Sequence, residues 1–166
     1  DASENVYVTG YYHGTAYFGG SSLAAPGSHA DAFVAKLSED GDWRWARAAT
    51  GSWDQKGTAI AFIPGNDSAI PPVPGSVLVS GRYTCSTTFG TAATLNNTNC
   101  SAGGAPDVFV ARLDPDGNWK WAVDRGNGSA GSEEGKALAA SSQGALYLVG
   151  QGSETVTVLT ESFQSS

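Results

Sequence analysis

The chain has no methionine, only two cysteines and two histidines among 166 residues, and charged side chains at just 15% of positions. Each scarcity excludes something. His13 and His29 stand with no serine or cysteine nucleophile framed around them, and no G-x-S-x-G, H-E-x-x-H or paired-cysteine motif occurs. The chain reads as non-enzymatic, and no cofactor is implied. A metal is not expected either, because no second cysteine pair or histidine lies near Cys85 and Cys100 at ligand spacing. Net charge is −7. With no basic cluster and no glycine-rich phosphate loop, a nucleic-acid partner is not expected. No run of about 18 apolar residues exists, so nothing reads as a membrane span. The chain begins at Asp1 without an initiator methionine or a leader, the form expected of a processed or excised product.

What the chain does have is 22 glycines and 17 aromatic residues (5 Trp, 6 Tyr, 6 Phe). Such a composition favours many short strands joined by tight turns, and no helical apolar period exceeds about two turns. It also has an internal repeat. Asp31 to Ala46, DAFVAKLSEDGDWRWA, aligns without a gap on Asp107 to Ala122, DVFVARLDPDGNWKWA, with 10 of 16 residues identical. A second repeated run pairs NVYVTGYYHGTAYFG from Asn5 with SVLVSGRYTCSTTFG from Ser76, and ALYLVG from Ala145 is a shorter third copy. Val6, Val77 and Leu146 are thereby equivalent, at spacings of 71 and 69. The glycine closing each run (Gly10, Gly81, Gly150) marks a bend or bulge.

Asp-Gly between two apolar runs signals a hairpin. Pro115-Asp116-Gly117 suits a three-residue connection with a left-handed glycine. That register sets Leu113 opposite Trp119, Ala111 opposite Trp121 and Arg112 opposite Lys120. Phe109, Ala111, Leu113, Trp119 and Trp121 then share one apolar face. In the first copy Phe33, Ala35, Leu37, Trp43 and Trp45 do the same, with Lys36 and Arg44 opposed on the other side, where water must reach them.

One period thus holds four strands: GTAIAFI-type, VLVSG-type, DVFVARL-type and WKWAV-type. Four antiparallel strands per unit of about 70 residues with an apolar face describe a propeller blade. The fold class read from this is all-β, with β-propeller-like blades of four antiparallel strands. The division is residues 1–63, a partial blade and the first strand of the next; 64–75, a connection carrying Pro64, Pro71, Pro72 and Pro74; 76–140, the second repeat; and 141–166, the start of a third with its tail. That makes about 2.3 repeats, whereas a ring takes about 4 to 8 blades. The chain is therefore not expected to close on its own, and open sheet edges invite partners.

At VYVTG (Val6 to Gly10), DAFVAKL (Asp31 to Leu37) and DGDWRW (Asp40 to Trp45), with their second set VLVSG, DVFVARL and DGNWKW, the chain resembles the bacterial secreted β-propeller repeats called SBBP repeats. The resemblance implies an extracellular or cell-surface repeat protein, and it carries over no catalytic residues.

The function expected from these features is a structural or adhesive extracellular module. It would join other copies of itself, in a ring or a filament, or belong to a longer surface protein. The alternative is a glycan-binding propeller module. Trp53 has no equivalent in the second copy and lies in a loop; with Tyr11, Tyr12 and Tyr17 it is the candidate for ligand contact. Cys85 and Cys100, in a polar segment, are expected to form a disulfide that pins a loop enlarged in one repeat only. Four glycosylation sequons, at Asn66, Asn96, Asn99 and Asn127, fall in predicted loops. Asp114-Pro115-Asp116-Gly117 departs from the EF-hand pattern and reads as a turn. Asp31 and Asp107 read as caps for loop amides. Adjacent Glu133 and Glu134 read as solvated carboxylates, which as strand neighbours would face opposite ways.

Overall fold

Because Asp-Gly turns and period-two alternation dominate the sequence, the described residues of a computed structural model are strands joined by turns, with no helix among them. Those residues are 1–66, 68, 74–98, 100, 104–126, 131–141 and 146–152. The described part of the third copy therefore starts at Leu146, half of the proline-rich connection lies outside the described residues, and so does the tail beyond Gly152.

The two repeated runs give equivalent strands. β1 (Val6–Tyr12), β4 (Asp31–Leu37) and β5 (Trp43–Gly51) are adjacent in the first antiparallel sheet. β6 (Gln55–Ile63), β7 (Ser76–Tyr83), β10 (Asp107–Leu113) and β11 (Trp119–Asp124) make a second, four-stranded sheet in the order β11-β10-β7-β6. β12 (Glu133–Ala140) pairs with β13 (Leu146–Gly152) as a third. Two short hairpins complete the set: β2 (Gly14–Phe18) with β3 (Ser21–Ala25), and β8 (Ser86–Phe89) with β9 (Ala93–Asn96). The second hairpin extends the first sheet through Thr50–Thr88 and Gly51–Thr87 pairing. No described sheet closes into a barrel or ring.

The sheets stack face to face, and the middle one is buried on both sides. Val77, Val79, Phe109, Ala111 and Leu113 meet Ala32, Val34 and Trp45 of the first sheet, while Leu78 and Val110 on the reverse meet Leu138, Leu146 and Leu148 of the third. This explains why Ser76 to Gly81 is buried at every position despite its strand geometry. A third apolar cluster, Phe18, Ala35 and Ala46 with Phe33 and Trp43, seats the β2–β3 hairpin on the outer face of the first sheet. Repetition extends to ring geometry. Phe18 lies 5.1 Å from Phe33 and 5.0 Å from Trp43; Phe89 lies 5.2 Å from Phe109 and 5.0 Å from Trp119.

The hairpin turn is the expected one: Gly117 has φ +83°, its N–H donates to the Asp114 carbonyl, and Leu113 faces Trp119. Beyond that pair the expected register fails. A bulge at Lys120 sets Arg112 opposite Trp121 and Ala111 opposite Ala122, and a matching bulge at Arg44 sets Lys36 opposite Trp45. The extra residue turns the second indole of each hairpin to the other face. Trp43 and Trp119 therefore stay with Phe33 and Phe109, while Trp45 and Trp121 leave them. Trp45 points into the interface with the second sheet, and Trp121 into the interface with the third. Lys36 and Arg44 are no longer opposed.

The Asp114 carboxylate organises the second turn. It accepts N–H bonds from Asp116 and Asn118 and from the Asn118 amide, and lies 2.9 Å from Lys120 Nζ. Burial raises its pKa, but the Asn118 and Lys120 contacts together outweigh burial and bring it down to about 2. The folded value lies below the ordinary 3.8. The turn's contribution is thus present above about pH 4 and is lost as pH falls toward 2, on the order of 2 kcal/mol. Asp114→Asn will remove that part of the acid dependence, read as unfolding free energy against pH; an unchanged acid limb would refute the assignment.

Candidate ligand-binding pocket

The loop joining β5 to β6 is short and begins where β5 ends at Gly51, so Trp53 and Asp54 are held close to the sheet by its own ladder. Gln55 N–H donates to the Ala30 carbonyl (2.8 Å) and Ala30 N–H donates to Asp54 Oδ1 (3.0 Å), which ties this loop to the one preceding β4. The same latch recurs one period on, where Glu133 N–H donates to the Pro106 carbonyl. Between these anchors lies a cavity of about 310 Å³ lined by His29, Trp53, Asp54, Arg82, Thr84, Gly104 and Pro106.

Its walls differ in chemistry. Trp53 and His29 pack ring against ring at 4.5 Å and 39°, forming an aromatic side. Asp54 lies 3.6 Å from His29 Nδ1 and 3.9 Å from Lys56 Nζ. The Ala30 N–H bond is the chief reason its carboxyl sits below the usual range, with Lys56 and His29 adding to it against partial burial. Arg82, near the end of β7, is half-buried, and its guanidinium has no hydrogen-bond or ion-pair partner among the described residues. A satisfied carboxylate and an unsatisfied guanidinium thus share one concave site beside an aromatic face.

The Cys85–Cys100 disulfide is formed. Asn97, within the loop it closes, is buried and donates through Nδ2 to the Ala105 carbonyl, so the bridge and this bond hold the Gly104–Pro106 wall. A disulfide is compatible with an extracellular, oxidising setting. Reduction is expected to cost about 3 kcal/mol through the freed 15-residue loop; a denaturation midpoint unmoved by reductant would contradict this.

The four aromatic residues singled out from sequence do not meet. Trp53 alone lines the cavity. Tyr11 is 51% exposed on β1, edge-on to His13 and 4.5 Å beneath Lys56 Nζ. Tyr12 is buried beside Phe33, and burial, then the Asp31 charge, pushes its hydroxyl up to about 12. Tyr17 is 77% exposed on β2. Sequence reasoning passed over Arg82, although the repeat alignment held a signal: it stands where the first copy has Tyr11, a departure from framework. Of the sequons, Asn66 and Asn96 are exposed, Asn96 as the last residue of β9 and not in a loop; Asn99 and Asn127 lie outside the described residues. Asp31 does act as a cap, accepting from Gly51 N–H at 3.3 Å, and its carboxyl is raised by burial. Glu133, contrary to expectation, is buried, while Glu134 alternates away from it toward Lys136.

Among the described residues no group of three or more His, Cys, Asp or Glu could hold a metal ion, and no helix is long and apolar enough to cross a membrane. No protein-family model matches the chain, and no curated protein matches it.

Proposed function

We propose that the chain is a non-catalytic extracellular β-repeat module, structural or adhesive, whose open sheets are completed by other copies in a ring or filament, or by further repeats of a longer surface protein. Its four-stranded sheet is then one propeller-like blade of the SBBP type, flanked by two incomplete ones.

One observation carries this reading. Among the described residues β1 and β13 each present an edge with no paired strand, and each carries exposed apolar side chains. Val6 (51%), Tyr147 (52%) and Val149 (65%) are exposed where the equivalent Val77, Leu78 and Ser80 of the middle sheet are fully buried. The middle sheet shows what those faces look like when covered. Their repeat-equivalence makes a head-to-tail contact that copies the internal stacking the natural completion, closing a ring or extending a filament according to the rotation.

Sedimentation of the purified chain is expected to show self-association that rises with concentration, and Tyr147→Lys with Val149→Lys to abolish it without unfolding the chain. A dispersed 17.0 kDa monomer at every concentration would overturn assembly between copies. Glycan binding is the second reading, favoured by the Trp53–His29 wall of a cavity that the repeat framework does not require.

A further inference from the structure

The cavity is large enough for a single sugar ring and has the make-up of a small-molecule site: an aromatic wall plus a few convergent polar groups. None of its distinguishing residues is needed by the repeat. Trp53 has no counterpart in the second copy, and Arg82 replaces a tyrosine. A guanidinium half-withdrawn from water and without a partner among the described residues is a cost to folding that a bound anion would offset. Its fork matches a carboxylate through two parallel N–H bonds.

The chain's overall charge of −7 narrows the anion. A polyanion would be repelled by the surrounding surface, whereas one carboxylate needs only the one uncompensated cation. Asp54 does not supply that compensation, being committed to Ala30 N–H and facing His29 and Lys56. Its carboxylate lines the same cavity as Arg82 and can accept further hydrogen bonds, which suits sugar hydroxyls. The Trp53 indole offers its negative ring face to the polarised C–H bonds of a pyranose.

We propose that this cavity binds a sugar residue bearing one carboxylate, a uronic acid, with its C–H face on Trp53 and its carboxylate on Arg82. This deepens the glycan-binding reading and is independent of assembly.

The test is a titration of isotope-labelled protein with D-glucuronate, D-glucose and acetate, followed by NMR at the Trp53 indole N–H and the Arg82 backbone amide. Glucuronate is expected to give saturable shifts at both, with an affinity on the order of millimolar. Glucose, which lacks the carboxylate, and acetate, which lacks the ring, should each bind at least about tenfold more weakly, one charge-assisted contact or one stacked ring being worth that factor. Arg82→Gln should equalise glucuronate and glucose, Arg82→Lys should keep a reduced preference, and Trp53→Ala should weaken both sugars; retained spectral dispersion shows each variant folded. Glucose binding as tightly as glucuronate would remove the carboxylate and leave glycan binding standing. Acetate matching glucuronate would reduce the cavity to an anion site. No saturable shift with either sugar would overturn both the proposal and the glycan-binding reading.

Discussion

Replacing Trp45 by alanine will cost about 3–5 kcal/mol of folding stability, a large share of the roughly 5–15 kcal/mol that holds a domain of this size. The indole is 9% exposed and belongs to the cluster that joins the first sheet to the second. Its Nε1–H donates to the Pro115 carbonyl at 3.0 Å, across 70 residues of sequence. The six-membered ring lies over Gly117, where any Cβ would come within 2.7 Å of it. One side chain therefore fills the interface and clamps the turn of the next repeat. Trp45→Phe separates the two roles, keeping most of the packing and losing the hydrogen bond, for about 1 kcal/mol from that bond plus a smaller packing loss. Trp43→Ala is the comparison. That ring is only half-buried, against Phe18 and the β2–β3 hairpin, and its loss will cost less. Urea denaturation of the three variants checks the order. Equal costs for Trp43 and Trp45 would mean that the interface between sheets carries no special weight.

The pair also shows where sequence reading stopped. The turn was legible, because Pro115-Asp116-Gly117 limits the backbone to few conformations and only glycine enters the left-handed region cheaply. The order of the strands in the middle sheet was legible through the repeat, whereas the β2–β3 and β8–β9 hairpins, which take each period beyond four strands, were not. The bulge was not, since Trp-x-Trp reads as two residues on one face when alternation is taken as unbroken. Its trace was the pairing of like charges, Lys36 with Arg44 and Arg112 with Lys120, that unbroken alternation demands. The bulge takes both pairs out of direct opposition and gives each neighbouring layer an indole. The cavity was half legible. Trp53 stood out as a residue the repeat does not explain, but only the fold shows that His29 and Arg82 reach the same space. Tyr11 and Tyr12 are sequence neighbours on opposite faces of one strand, so their proximity in the chain kept them apart in space.

Gly81→Ala will be at least as damaging as the loss of Trp45, whereas the equivalent Gly10→Ala will be tolerated by the isolated chain. Each glycine pairs across the ladder with a phenylalanine, Gly10 with Phe33 and Gly81 with Phe109, whose ring leans over the bare Cα. This is what the glycine ending each VTG-type run is for: the phenylalanine ring occupies the space a side chain would take. A methyl at Gly10 would stand 2.9 Å from Phe33 Cε1, at the far end of a side chain that can turn. A methyl at Gly81 meets Phe109 Cε1 at the same distance and also overlaps the Lys56 carbonyl oxygen, which is backbone of the adjoining β6. Relief would require opening the β6–β7 ladder at its bulge, so about 4 kcal/mol or more is expected, against about 1–3 for Gly10→Ala. Adding Phe33→Ala should recover part of the Gly10→Ala loss, while Phe109→Ala should not rescue Gly81→Ala; double-mutant cycles in urea measure both. The difference arises because no described strand pairs with β1 on the side where β6 lies beside β7. If a second copy or a further repeat completes that sheet, Gly10→Ala acquires the clash that Gly81→Ala already has. It should then weaken association in sedimentation far more than it weakens folding, and equal effects on the two would count against completion along the β1 edge.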